Sequence, residues 1–345
     1  MNRRFNFGGV ALVLTAVILG IFAVDFFRRL WIDWGNARGK MHIVSASSSI
    51  SDIEPGTSEP DVTGTSDTTT QTSTTPASYT GQTGLITTQT TTTTVETADI
   101  SNAQSITVSN SDVHNGSLLL INKQHPLVGT PAMTAFTNIK YDHIRLPHKG
   151  LLVNNLAISD MVKMFNAFYT NSGQGNIMVY ATTLVPQAPA YQVDIPERAS
   201  GLSLDLAILD EAAGKHTPYV DNGAYAWLPK HCAEYGYIWR YTADKSAVTG
   251  MKELKWHFRY VGIPHARYMA SEELCLEEYI NLVHEHTWET KHLKFTFDNT
   301  AYEVYYVPAS TSGANTTIYY PAGTEVRVDG DNIEGFVVTC SKPVS

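Results

Sequence analysis

Apolar and polar positions divide the 345-residue chain into three unlike stretches. From Phe7 to Phe27 the chain is almost wholly apolar (GGVALVLTAVILGIFAV), with Asp25 at the far edge, and approaches the ~20 residues needed to cross a hydrocarbon core. From about Ser45 to Asn102 it is Thr- and Ser-rich, with TSDTTTQTSTTP and TTQTTTTTVE, and has no apolar period. Such a tract cannot bury enough surface to repay its ordering entropy, so it is predicted to be a disordered stalk whose job is reach, with O-glycans possible where a host modifies hydroxyls.

Periodicity returns near Ser105. SITVSNSDVHNGSLLLINKQHPL alternates and then runs apolar, which predicts a leading strand and a turn at Asn115–Gly116. The spacing in LAISDMVKMFNAFY, Leu156 to Tyr169, predicts an amphipathic helix covering a sheet, and GNIMVYATTLV predicts a buried strand. AYAWLPKHCAEYGYIWRY predicts a helix ending near Gly236 and running into a strand, and CLEEYINLVHEH predicts a second helix. AYEVYYVPA, TTIYYPA, TEVRVDG and GFVVTCS are strand-like pieces separated by turn signals. Helices mixed with mainly antiparallel strands predict an α+β fold.

Composition changes this picture in three places. Charged residues make up 17% of the chain, below the ~25% usual in soluble domains, because the apolar run and the Thr tract carry so few. A net charge of -9 argues against nucleic acid as a partner, since phosphate binding needs clustered Lys and Arg. Cys232, Cys275 and Cys340 are odd in number, lie far apart, and read as small buried hydrophobes rather than a disulfide framework. Arg3 and Arg4 precede the apolar run and Phe26, Phe27, Arg28 and Arg29 follow it, with no small-residue cleavage site, so a retained anchor is expected. Basic residues flank both ends, and the uncharged Thr tract places the remainder of the chain outside the cell.

Two segments offer chemistry. PERASGLSLDLAI, residues 196 to 208, presents Asp205 after a Gly-containing turn. TGMKELKWHFRYVGIPHA, residues 249 to 266, presents His257 beside Trp256, then Arg259 on an apolar strand. Read alone, this Asp and His suit either a metal site or a core histidine held by hydrogen bonds.

GSLLLINKQHPL, SGLSLDLAI, YGYIWRY and WHFRYVG, in this order, resemble the zinc D-alanyl-D-alanine carboxypeptidase family of the VanY type, as do LCLEEYI, YEVYYVPA and DNIEGFVVT farther on. The likeness spans about residues 105 to 345. In that family a His and an Asp in the pattern SxHxxGxxxD bind zinc with a second His from a Glu-x-x-His segment. The Glu is the general base toward the zinc-bound water, and an Arg in a Ser-Gly-Tyr-Arg-Ser stretch grips the substrate carboxylate. Carried over, Gly201 and Asp205 fit the first motif, but its His position holds Arg198 and its Ser position Pro196. His257 matches the second His, while the Glu position holds Leu254, with Glu253 beside it as a candidate base only if the strand bulges. Leu184 falls where the family has its Arg, and the stretch from there to Arg198 is short.

Arg stays protonated and offers no lone pair, so Arg198 cannot replace a zinc ligand. It is expected instead to stand in for the metal by pairing with Asp205; the alternative is that it points into solvent. Zinc is therefore expected to be absent or weakly held at Asp205 and His257. His216, His231 and His265 are possible substitute ligands without motif spacing, and His265 reads as part of a GIPHA turn. Ser200, Gly201, Trp256 and Arg259 complete the candidate pocket. Trp227, Tyr235, Tyr237, Trp239, Trp256 and Tyr260 read as core, with a sugar platform as the alternative. His284, His286 and His292 lack the spacing of a metal site.

The expected organisation is a cytoplasmic tip and membrane anchor over residues 1–40 (span about 8–27), a Ser/Thr-rich stalk over 41–104, and a VanY-like head over 105–345. The head would have a core over 105–270, with a mainly antiparallel sheet flanked by helices, and a helix-and-β extension over 271–345. The apolar run and the Thr tract imply a single-pass membrane protein with an extracytoplasmic head, and the resemblance implies a bacterial one. It would associate with peptidoglycan stem peptides or a cell-wall protein, and is expected to be inactive. An active zinc peptidase with a rearranged site, or a surface adhesion or structural protein, are the competing expectations.

Overall fold

The structure is a computed structural model and describes residues 102–183 and 188–344. The expected anchor, almost all of the stalk and Leu184 lie outside the described residues. Among the described residues no helix is long and apolar enough to cross a membrane.

Strand β1 (Ala103–Ser109) opens the described chain and leads into a 3-10 turn, Asn110–His114. The apolar Leu118, Leu119, Leu120 and Ile121 that follow are buried without forming a strand. Strands β2 (Met133–Ala135) and β3 (Leu152–Asn154) make a short antiparallel pair. Helix α1 (Ile158–Ser172) buries Met161, Met164, Phe165 and Phe168, the i, i+3, i+4, i+7 stripe anticipated from the sequence. Burying each of these side chains stabilises by about 2 kcal/mol. The helix stops at Gly173, whose φ of 68° is the left-handed conformation that closes a last turn.

This stripe packs on the main sheet. Strands β4 (Ile177–Ala181), β5 (Ser203–Asp210) and β6 (Lys215–Pro218) come first in the chain. The segment expected to be one helix up to Gly236 is broken into 3-10 turns on either side of α2 (Trp227–His231). Pro229 has no N–H to donate, so regular helix begins only where it falls in the first turn. Strand β7 (Tyr237–Trp239), the single turn α3 (Ser246–Thr249) and β8 (His257–Tyr260) follow. The sheet runs β4-β5-β8-β7, with β6 also alongside β5, and every pairing is antiparallel.

Helix α4 (Ile263–Ser271) corrects the reading of GIPHA as a turn: Gly262, at φ 88°, precedes the helix, and Pro264 sits in a first turn that does not need its N–H. Helix α5 (Leu276–His284) buries Leu276, Tyr279, Ile280 and Val283, and Glu278 accepts the Cys275 backbone N–H at 2.8 Å as its capping carboxylate. Strands β9 (Leu293–Phe297), β10 (Thr300–Pro308), β11 (Asn315–Pro321), β12 (Glu325–Gly330) and β13 (Gly335–Pro343) complete the chain. They form a sheet ordered β12-β13-β10-β9, while β11 returns to pair with β1. One core lies between α1 and the main sheet, a second between α4, α5 and strands β10 and β13, and a third under β1 and β11. Tyr237, Tyr260 and Trp256 belong to the first core, and the three cysteines are free and buried. The fold is α+β, with a strand-rich C-terminal region.

Candidate functional site

Register brings the site together. Asp205 on β5 stands directly opposite His257 on β8, and Ser203 opposite Arg259, so the Asp and His share one face of the sheet. A 3-10 turn over Pro196–Ser200 delivers Glu197 and Arg198 to that face. The turn ends at Gly201 with φ 65°, where a Cβ would come 3.0 Å from the Asn154 backbone nitrogen, so glycine fits both the conformation and the space. Ser200 Oγ donates to the Glu197 carbonyl at 2.6 Å and accepts from Leu202 N–H at 3.1 Å. The Asn154 side chain donates to the Ser200 carbonyl at 3.0 Å.

The Arg198 guanidinium donates from Nε to Asp205 Oδ2 at 2.9 Å, with Nη2 2.8 Å from the same oxygen. Its remaining N–H groups reach the carbonyls of Val193 and Tyr191 at 2.6 and 3.1 Å, and its carbon lies 5.7 Å from the Trp256 ring centre. The His257 imidazole is held between two carboxylates, with Nδ1 2.7 Å from Asp205 Oδ1 and Nε2 2.7 Å from Glu197 Oε1. Burial works against its charge, but the hydrogen bonds to Asp205 and Glu197 outweigh burial and raise its pKa. Both ring nitrogens are therefore donors.

Glu197 is the hub. Its Oε2 accepts from Arg240 Nε and Arg259 Nη1, each at 3.1 Å. Burial would raise its pKa, but Arg240, Arg259 and His257 together hold it well below the usual carboxylate range. Arg240 also grips Glu277 through a two-pronged pair at 2.8 and 2.6 Å. Arg259 spends its other N–H groups on the carbonyls of Ser117, Leu119 and Tyr260. Glu197, Arg198, Asp205, Arg240, His257 and Arg259 are each at most 2% exposed. A buried charge of this kind is tolerable only with partners of this quality.

The sequence-derived candidates are thus sorted. Asp205, His257, Arg198 and Arg259 meet in one network, with Trp256 packed over Arg198, and Ser200 and Gly201 shape the turn that feeds it. Glu253 is exposed in the irregular segment before β8 rather than on a strand, so a bulge is not what governs its access. Leu254 is buried, and its carbonyl accepts from the Trp239 indole at 3.1 Å. His216 lies exposed against Tyr180, His231 pairs with Glu234, and His265 bonds Tyr279 and Thr339 in a different core. Glu197, Arg240 and Glu277 were missed by sequence reasoning. The signal available for Arg240 was an Arg inside the apolar run YIWRY, which on burial demands a carboxylate.

These residues do not fit zinc. A histidine ligand must turn a lone pair to the metal, and both nitrogens of His257 face carboxylates instead. Arg198 fills the third position with a cation, and among the described residues no group of three or more His, Cys, Asp or Glu side chains could hold a metal ion.

Asp205 and His257 thus face each other on an antiparallel sheet backed by α1, ahead of a strand-rich C-terminal region. The family described as VanY, D-alanyl-D-alanine carboxypeptidase, matches residues 191–263. A D-alanyl-D-alanine carboxypeptidase of Enterococcus faecium is 28% identical over 255 residues, covering 69% of this chain and 79% of the relative. The solved vancomycin-resistance D,D-dipeptidase VanXYg, in complex with a D-Ala-D-Ala phosphinate analogue, superposes with a TM-score of 0.56 at 24% identity, covering 70% of this chain and 99% of that one. A VanY D,D-pentapeptidase mutant solved with Zn(II) aligns at 24% identity and a TM-score of 0.34, over 48% of this chain and 99% of that one. Residues 191–263 thus match the VanY-type D-alanyl-D-alanine carboxypeptidase family, and the likeness to the Enterococcus faecium relative extends over 255 residues.

Proposed function

We propose that this chain is a catalytically silent VanY-type protein, held at the outer face of a membrane by its N-terminal apolar segment, that binds peptidoglycan stem peptides rather than cutting them. The observation that carries the silence is the double engagement of His257 by Asp205 and Glu197, with Arg198 closing the third position. Hydrolysis in the family needs a metal-activated water and a base; here the ligand positions are spent on internal ion pairs and the base position is Leu254. Binding is supported by the family match and by VanXYg, which was solved with a D-Ala-D-Ala analogue. The apolar run from Phe7 to Phe27 and the Thr-rich tract behind it support delivery to the wall.

The test uses full-length protein and a stem pentapeptide ending in D-Ala-D-Ala. Calorimetry should detect saturable binding, while D-Ala release stays at the no-enzyme level with and without added zinc, and metal analysis finds less than stoichiometric zinc. Chelator-sensitive release of D-Ala would overturn the silent reading, and absence of any heat of binding would overturn the stem-peptide reading.

A further inference from the structure

A groove of about 520 Å³, far in sequence from the buried ion-pair network, opens where the loop after α5 meets β9, β10 and the ends of β1 and β11. Trp288, Lys291, His292, Lys294 and Glu303 line it. The Glu303 carboxylate is already used: it meets His292 Nδ1 at 2.5 Å and Lys294 Nζ at 2.9 Å, and these partners push its pKa down to about 2. Lys291 is exposed and has no ion pair among the described residues, so the groove carries an uncompensated positive charge on a chain whose net charge is -9. Trp288 packs 5.4 Å from Tyr305 and 6.2 Å from Tyr319, which is 40% exposed. The Trp288 Nε1–H is shut off from solvent and has no hydrogen-bond partner. An unpaired donor of that kind costs free energy that an incoming acceptor would recover.

We infer that this groove binds a carboxylate-bearing glycan chain. Trp288, the aromatic residue in the groove wall, offers flat surface to the C–H face of a sugar ring. Lys291 supplies a charge-assisted bond to the sugar's carboxylate, and the Trp288 N–H is satisfied by a hydroxyl or acyl oxygen after a small shift of the ring. An acidic peptide would use the lysine but has no need of the Trp288 face, and nucleic acid would meet the repulsion of the acidic chain. The inference rests on the cell-wall location proposed above, but on a different part of the molecule and a different portion of the polymer.

Full-length protein, immobilised, would be titrated with peptidoglycan glycan strands stripped of their stem peptides, and with chitohexaose as an uncharged comparison. Saturable binding of the strands is expected, weakened about fivefold or more for chitohexaose and for Lys291→Gln, the loss of one charge-assisted contact. Strand binding should quench Trp fluorescence in the native protein and not in Trp288→Phe. Lys291 is a surface residue, so Lys291→Gln reads binding without a folding defect. No saturable binding, or equal affinity of Lys291→Gln and the native protein, overturns the proposal, as does tighter binding of chitohexaose than of the strands. Strand binding together with failure of pentapeptide binding would leave this groove standing while removing the stem-peptide reading.

Discussion

Two histidines among the described residues are sealed from solvent, and their surroundings push their protonation in opposite directions. His257 lies between the carboxylates of Asp205 and Glu197, and its pKa is raised. His265, on α4, lies between two hydroxyls, with Nδ1 2.7 Å from Tyr279 Oη and Nε2 3.2 Å from Thr339 Oγ1. Burial lowers its pKa to about 4, although Asp329 pulls the other way. Both imidazoles are 0% exposed, so burial alone does not separate them. Partner chemistry decides: carboxylates on both nitrogens outweigh desolvation, and neutral hydroxyls do not. His257 is therefore held by compensated charge and His265 by neutral hydroxyls, even with the part-buried Arg327–Asp329 ion pair close by.

The largest expected break in this comparison comes from the charged side. Glu197→Ala leaves His257, Arg240 and Arg259 facing one another without their shared anion, and should cost about 3–5 kcal/mol in urea unfolding. A loss under 1 kcal/mol would mean that water or another group neutralises the hub. Next comes acid titration, in which the two histidines act with opposite sign. His265 has a folded pKa of about 4, below the 6.5 of an ordinary imidazole, so the unfolded chain takes up the proton first. Stability present above pH 6.5 falls as the pH drops through 6.5 towards 4, by roughly 3 kcal/mol in all. The measurement is the urea midpoint against pH, and His265→Gln should flatten that acid limb. His257, with its folded pKa raised, contributes stability that is complete below 6.5 and is lost as the pH rises through the folded value. Nitrogen-15 spectra at pH 6 should show both of its ring nitrogens protonated, against a single protonated nitrogen in His265. The smallest effect is expected from Tyr279→Phe, which strips one hydroxyl from neutral His265 and should cost about 1–2 kcal/mol.

Much of the fold could be read because its elements carry their own period. The stripe of α1 and that of α5 are written in consecutive turns, and the strands from β10 to β13 are delimited by local turn residues. Where a signal was ambiguous the reading failed: Gly-Ile-Pro announces a turn and equally the first turn of α4. The site was half legible. Asp205, His257 and the misplaced Arg198 are visible because motif spacing is local. Glu197 gave no such sign, because its meaning depends on Arg240 and Arg259, which reach it through sheet register rather than sequence proximity. Glu277 is more remote still, since it enters from a helix after the sheet is complete.

The reach of that network bears on when it can form. Arg259 bonds Ser117 across 142 positions of sequence and Glu197 across 62, and Arg240 waits for Glu277 another 37 positions downstream. Closing loops of these lengths is slow, and a half-assembled hub would strand ions away from water. The charged groups should therefore stay hydrated while the apolar stripe of α1 and its sheet come together, and lock only after the chain through Glu277 is available. Contacts acquired after the folding barrier restrain unfolding and do little to speed folding. The arginines gathered on Glu197 would then act as a late latch, setting how long the folded head survives rather than how quickly it is reached.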